Sequence, residues 1–446
     1  MPVTGFDFWA ACKAAIAIDS TTKHGNAEYV DFLKKILEPL DLKVRTQAVD
    51  ADGYRGLNLI GEKGAGPDVV LFDTHLDTVS PGDPALWTQT GGDPFRAVIE
   101  DGKIFGLGAV DVKLDFLCKL KALEKYAGKR FRNRFILLGT FAEEVGLLGA
   151  QAFLEGHPDQ QIDFALIGEP TSLKLVNRHK GRACYEFRIP AGSGDTKTFS
   201  ETVTIEFQGE SVHSSTPAKG VNAVEIAMDA LAALPVQPEF FSIEGGHLMN
   251  IVPESCRIVL PAGITGLDRL SARASVKPTG AKRLIRSSGA LAFWAAAREV
   301  GRRLASGTTW VWVTAKTADD AFVFEFDSRF WEDAESVTEQ NLAGLPPANC
   351  RTIRKTPSFF ETSTAWYVEG LCGALEEVGV HAEFASKEAS TEAALFGHRC
   401  TTLVFGPGPS EKNAHRPNEY NFVSEIETAI RAYESILRRL VLAPNQ

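Results

Sequence analysis

Four runs in this chain are apolar without alternation: Val69-Val70-Leu71-Phe72, Phe135-Ile136-Leu137-Leu138, Phe164-Ala165-Leu166-Ile167 and Leu403-Val404-Phe405. A strand with apolar side chains on both faces must be covered on both, as in an α/β layer structure with helices above and below the sheet. Helical stretches lie between and after the runs, from about Leu114 to Tyr126 and from Val423 to Leu442. The pattern predicts an α/β domain with a mostly parallel central sheet. From about Phe187 the pattern changes to alternating strands such as Thr202–Phe207 and Phe322–Asp327, with helices expected over Ala223–Leu234 and near Ser336–Leu345. That order suits a small α+β domain inserted into the larger one, with 1–185 and 353–446 forming the outer domain and 186–352 the insert.

Composition narrows the function classes. Asp and Glu number 57 against 47 Lys and Arg, a net charge of −10, so no surplus of cations is available for a nucleic acid backbone. No run approaches the roughly 18 apolar residues that a membrane span needs. The N-terminus lacks a basic region, and Lys13 and Asp19 interrupt its apolar stretch, which reads as a first helix rather than a signal peptide. The seven cysteines are scattered and form no C-x-x-C pair. Reduced thiols in a cytoplasmic protein are therefore expected, without a thiolate metal cluster.

The apolar runs are followed by acids and histidines. Asp73-Thr74-His75-Leu76-Asp77 ends the first run, and residues two apart share a side of an extended chain, so His75 and Asp77 project together. Ligands of an open α/β sheet bind at such C-terminal strand ends. A neutral imidazole is a good zinc ligand, and a carboxylate two residues on can accept its other ring proton. Gly106-Leu107-Gly108-Ala109-Val110-Asp111 is a glycine-rich turn that delivers one acid ahead of a helix. Its spacing fits neither common phosphate loop, and a helix N-cap is its plainer alternative.

Phe141-Ala142-Glu143-Glu144 sets two carboxylates side by side after a buried strand. That is unfavourable unless a cation or a shared proton compensates. One can bind metal while the other handles a proton, the division that metal-assisted hydrolysis needs. Gly168-Glu169-Pro170 adds an acid after the third run, and Ala414-His415-Arg416-Pro417-Asn418-Glu419 a loop histidine after the fourth. Each cluster has a structural explanation by itself; five of them in one α/β domain point to a shared centre.

With these motifs in this order, the chain resembles the di-zinc amidohydrolase and exopeptidase family that includes acetylornithine deacetylase, succinyl-diaminopimelate desuccinylase, aminoacylase and carboxypeptidase G. The resemblance covers about Gly5–Leu260 and Thr317–Leu442. Gly168-Glu169-Pro170-Thr171-Ser172-Leu173, His179-Lys180-Gly181, His213-Ser214-Ser215 and Thr391-Glu392-Ala393 stand nearest the acetylornithine deacetylase branch. The resemblance implies a zinc-exopeptidase-like catalytic domain carrying an inserted lid and dimerisation domain.

It also implies two Zn2+ ions, or Co2+ or Mn2+ with the same ligand types. His75, Asp111 and Glu169 would hold one, and Asp111, Glu144 and His415 the other, with Asp111 bridging. Glu143 would be the general base, and Asp77 would orient His75. His213 would reach the active site of a partner subunit and support the oxyanion, which makes the protein a homodimer. Asn250 would contact the substrate's carboxylate end. The family's strand ending in Asp-Ile-Arg does not follow directly, and its nearest equivalent is Phe326-Asp327-Ser328-Arg329. On that basis about 257–316 is an extra insertion, locally basic through Lys277, Lys282, Arg283, Arg286, Arg302 and Arg303, and Arg329 binds the substrate carboxylate.

The implied activity is hydrolysis of the amide bond of an N-acyl amino acid, N-acetylornithine first, within arginine biosynthesis. An exopeptidase, a dipeptidase or a desuccinylase would share every ligand and differ in lid contacts. A non-catalytic binding relative would have lost a ligand or the base, and all six positions are present. The partners implied are a small N-acyl amino acid or short peptide, with neither nucleic acid nor membrane.

Overall fold

The computed structural model describes residues 5–442 apart from 191–195, 248, 268–272, 287, 304–306, 319, 332–339, 341, 343, 344 and 346–348. Packing divides the chain into two units, Met1–His179 with Phe359–Gln446, and Lys180–Ser358. These boundaries differ by six residues from the sequence expectation of 185 and 353, for a reason local sequence does not show. Strand Gly181–Pro190 pairs along its length with Ala321–Phe330 and with Asn349–Thr356, so a cut at 185 would divide one strand between two sheets.

The centre of the first unit's sheet is four parallel strands in the order Arg134–Thr140, Val69–His75, Phe164–Gly168 and Thr401–Phe405. Its flanks are antiparallel except where Phe384–Lys387 pairs in parallel with Leu175–His179. Lys43–Ala51 and Tyr54–Lys63 extend one side, and Leu175–His179 with Phe359–Phe360 the other, so the sheet is mixed with a parallel core. All seven residues of Val69–His75 are buried. Val70 and Phe72 pack on one face against helices Phe8–Ala17, Lys113–Glu124 and Val423–Leu440. Val69 and Leu71 pack on the other against Leu148–Gly156 and Ala393–Phe396. The period-2 geometry of the strand thus gives each apolar neighbour its own layer, and truncating Phe72 to alanine would cost about 3–5 kcal/mol. The first helix starts where Asp7 accepts the Ala10 N–H as an N-cap.

The second unit is an antiparallel sheet in the order Ala274–Thr279, Thr202–Gln208, Ser255–Pro261, Phe240–Gly245, Thr309–Ala318, Ala321–Phe330, Gly181–Pro190, Asn349–Thr356. Helices Ala223–Ala232 and Ser288–Arg303 close a core containing Phe187, Phe326, Trp294 and Trp312. The segment 257–316, expected as an extra insertion, contributes strands to this sheet. Ser255–Pro261 lies between two strands near one end of the sheet, and Thr309–Ala318 joins Phe240–Gly245 to Ala321–Phe330. The segment is built into the sheet rather than appended to it.

Several of its cations pair with acids of other elements. Arg257 and Lys277 pair with Glu206, Arg286 with Glu239, and Arg298 with Glu225 and Asp229. The helix expected near 336–345 falls largely outside the described residues. Among the described residues no helix is long and apolar enough to cross a membrane. All seven cysteines are free thiols.

Candidate metal centre

The C-terminal ends of the four parallel strands supply most of one constellation. His75 closes Val69–His75, Glu143 and Glu144 follow Arg134–Thr140, Glu169 follows Phe164–Gly168, and His415 stands in the loop after Thr401–Phe405. Asp111 arrives from the turn before helix Lys113–Glu124, where Gly106 (φ 142°) and Gly108 (φ 80°) take backbone conformations open to glycine. Ala142 (φ 63°) and His415 (φ 61°) are left-handed although they carry side chains. Such positions cost roughly 1–3 kcal/mol each and persist where the surrounding structure over-determines them.

Asp111 is the hub of the cluster. Its Oδ1 lies 3.1 Å from His75 Nε2 and its Oδ2 3.1 Å from His415 Nε2. Glu144 lies 3.1 Å from His415 Nε2, and Glu169 Oε1 4.0 Å from His75 Nε2. Ligand atoms of His75, Asp111 and Glu144 all fall within 4.8 Å of one another. Glu144 and Glu169 side chains are 7% and 6% exposed, so these charges are removed from water and need a cation. Two imidazoles around carboxylates form a donor set suited to a borderline divalent ion such as zinc.

Protons mark the same need. Burial alone would lower the His75 pKa, but the carboxylates of Asp111 and Asp77 and the charge of Glu143 hold it well above the usual value. Burial is likewise outweighed at His415, by the charge of Glu144 and hydrogen bonds to Asp111 and Glu144. Asp111 is held well below its ordinary range, because the two imidazoles overcome its desolvation. Glu143 goes the other way: burial first, then the charges of Glu169, Glu144 and Asp77, push it well above the carboxylate range.

Asp77 is placed beside His75, with its carboxylate within ion-pair reach of the imidazole and its two shorter hydrogen bonds to other groups. His75 Nδ1 is 3.0 Å from the Asp77 backbone carbonyl and 3.7 Å from Oδ1. The carboxylate instead accepts the Thr22 hydroxyl at 2.7 Å and the Glu143 N–H at 3.1 Å. The expected support of the imidazole thus comes closest from the Asp77 main chain, and the carboxylate braces the Glu143 loop.

Sequence reading missed several supports. Glu419, buried, accepts the Val110 and Asp111 N–H groups at 2.8 and 3.0 Å, so the loop carrying His415 also fixes the Asp111 backbone. Burial and then the Asp111 charge push the Glu419 carboxyl up to about 8. Lys387 Nζ lies 2.6 Å from Glu169 Oε2. Glu392 accepts the Thr140 hydroxyl at 2.9 Å below the strand end. Glu419 and Glu392 stood within motifs already noticed, at Ala414–Glu419 and Thr391-Glu392-Ala393, but Lys387 carries no local signal.

His213, Asn250 and Arg329 belong to the second unit and gather around a different cluster. The Ser214 N–H donates to the Asn250 carbonyl at 2.9 Å, and His213 pairs with Ile251. His213 Nδ1 is 2.7 Å from Ser215 Oγ. Asp327, fully buried, accepts from Arg182 Nε at 2.9 Å, Arg329 Nε at 3.2 Å and the Ser214 hydroxyl. Burial opposes its ionisation, yet Arg329 and Arg182 hold its carboxyl down to about 2. Arg182 was not singled out from the sequence, although it directly follows His179-Lys180-Gly181.

The model of peptidase family M20/M25/M40 matches residues 71–439. Acetylornithine deacetylase of Proteus mirabilis is 34% identical over 224 residues, 50% of this chain and 52% of that protein. Acetylornithine deacetylase of Buchnera aphidicola subsp. Acyrthosiphon pisum is 31% identical over 229 residues, 51% of this chain and 53% of that protein. The chain thus spans about half the length of the curated relatives it matches. Among solved structures, aminoacylhistidine dipeptidase from Vibrio alginolyticus shares the fold, with a TM-score of 0.61, 15% identity, and 97% and 96% of the two chains covered.

Proposed function

The chain belongs to peptidase family M20/M25/M40, and from that membership we propose that it is a cytoplasmic, metal-dependent amidohydrolase that removes the acyl group from an N-acyl amino acid, N-acetylornithine first. The observation that carries the reading is Asp111 with one oxygen 3.1 Å from each of two imidazoles, among buried carboxylates at the ends of parallel strands. His75, Asp111 and Glu169 would hold one divalent ion such as zinc, and Asp111, Glu144 and His415 would hold a second. Bound there, the ions supply charge that polarises the acyl carbonyl and acidifies water.

The chain's own residues do the rest. Glu143, with its main chain anchored on Asp77, takes the proton of the attacking water as oxygen adds to the carbonyl carbon. It returns that proton to the amine nitrogen as the C–N bond breaks, and the hydroxyl proton left on the acyl product passes to the amine, giving a carboxylate and an ammonium. His213 supports the oxyanion in a homodimer, and Asn250 and Arg329 take the substrate's carboxylate end. Among the described residues two guanidiniums, Arg182 and Arg329, share the carboxylate of Asp327, which leaves positive charge available for a substrate anion.

A dipeptidase reading has its own support in the likeness of fold to aminoacylhistidine dipeptidase. Free amine released from N-acetylornithine, N-acetylmethionine, N-succinyl-diaminopimelate and a plain dipeptide, by zinc-loaded and by chelated protein, separates the readings. Chelator-sensitive turnover led by N-acetylornithine is expected. Turnover led by the dipeptide replaces the substrate, and none on any substrate removes the hydrolase reading.

A further inference from the structure

Glu144 and Glu169 occupy equivalent places in the proposed centre, each beside one imidazole, but their other neighbours differ. Both oxygens of Glu144 lie 3.1 Å from His415 Nε2, an imidazole that releases its proton when a metal takes the nitrogen. Glu169 has only Oε1 toward His75; Oε2 is 2.6 Å from the Lys387 ammonium, whose side chain is 12% exposed. Lys387 is fixed from behind, since it ends strand Phe384–Lys387 and stands opposite His179 in a parallel pair with Leu175–His179. Asp111 and Glu143 also act on it electrostatically, so its charge faces the whole acid cluster.

We propose that Lys387 is a resident cation that makes the two metal positions unequal: it occupies half of Glu169 and weakens the His75–Glu169 position for a divalent ion, while the His415–Glu144 position is left to bind first. The physical reason is that Lys387, fixed by its strand, keeps Nζ against Glu169 Oε2 at 2.6 Å. A divalent ion on Oε1 therefore shares its carboxylate with a fixed positive charge at short range, in surroundings that screen little. The inference rests on the two-metal reading above, and the test separates the two.

Chelator-stripped protein is titrated with Zn2+ against a chromophoric chelator to obtain the stepwise dissociation constants. Wild type is expected to bind two ions with constants at least about tenfold apart. Lys387→Met tightens the weaker constant by about tenfold or more and leaves the tighter one within about threefold. Lys387→Arg keeps the gap, and Lys387→Gln repeats the Met result should that variant fold poorly. A gain in affinity is a readout that structural damage does not produce. Two equal constants in wild type, or a neutral variant whose weaker constant is unchanged or worse, overturn the role of Lys387 and leave the two-metal centre standing. A single ion bound by both wild type and Lys387→Met overturns the two-metal reading and this inference together.

Discussion

The two buried polar clusters of this protein are built from the same kind of ion pair in opposite proportions. In the first unit Asp77, Asp111, Glu143, Glu144 and Glu169 crowd around two imidazoles and Lys387. In the second, one carboxylate, Asp327, is shared by Arg182 and Arg329. Among the described residues the first cluster has more carboxylates than cations, and the second has more guanidiniums than carboxylates. Burial makes both proportions consequential, because an uncompensated charge out of water costs several kcal/mol.

The sharpest way to divide the first cluster is at its adjacent glutamates. Glu143→Gln is expected to lower kcat by about 10²–10⁴ while zinc content stays the same, whereas Glu144→Ala loses zinc as well. Metal analysis and kinetics on one preparation check this. Equal zinc loss in both variants would erase the assigned division.

In the second cluster the largest effect belongs to the carboxylate. Asp327→Ala leaves two buried guanidiniums facing each other and should destabilise the protein by about 3–5 kcal/mol in chemical denaturation. Because the Asp327 pKa is depressed in the folded state, to about 2, its contribution is complete above its unfolded value, about 3.9, and fades as pH falls through the folded one. Wild type should therefore lose stability across that acid window, and Asp327→Asn should lack that component.

The imidazoles give the opposite sign. His75 and His415 have raised pKa values in the metal-free protein. Their contribution to its stability is full below about 6.5 and is lost as pH rises through the raised values. Zinc displaces those protons, so its affinity should rise by about tenfold per pH unit at each position until the imidazoles are neutral. A flat profile between pH 6 and about 8 would separate the histidines from the metal. The smallest expected effect is at the surplus guanidinium: Arg329→Ala should raise KM by about tenfold or more, with zinc content unchanged.

The parallel core was legible because Val69–Phe72, Phe135–Leu138 and Phe164–Ile167 are apolar on both faces, a pattern that helices on both sides satisfy. The site residues were legible as chemistry-bearing groups at the exits of those strands. Supports were not, since Glu419 acts on Asp111 from 308 residues away and Lys387 on Glu169 from 218. The partners of the basic residues in 257–316 were not legible either, since Glu206, Glu239, Glu225 and Asp229 come from elsewhere in the chain.

The sequence by itself determined which strands are buried, which groups stand at their ends and which family the motifs resemble, because periodicity and short-range spacing are local properties. The tertiary structure decided that Asp111 stands between two imidazoles, that the Asp77 carboxylate braces the Glu143 loop, that Lys387 occupies half of Glu169, and that Asp327 is outnumbered by arginines. Those are statements about charge in a shared volume. Charges interact through space at distances set by packing, and no spacing along the chain encodes them.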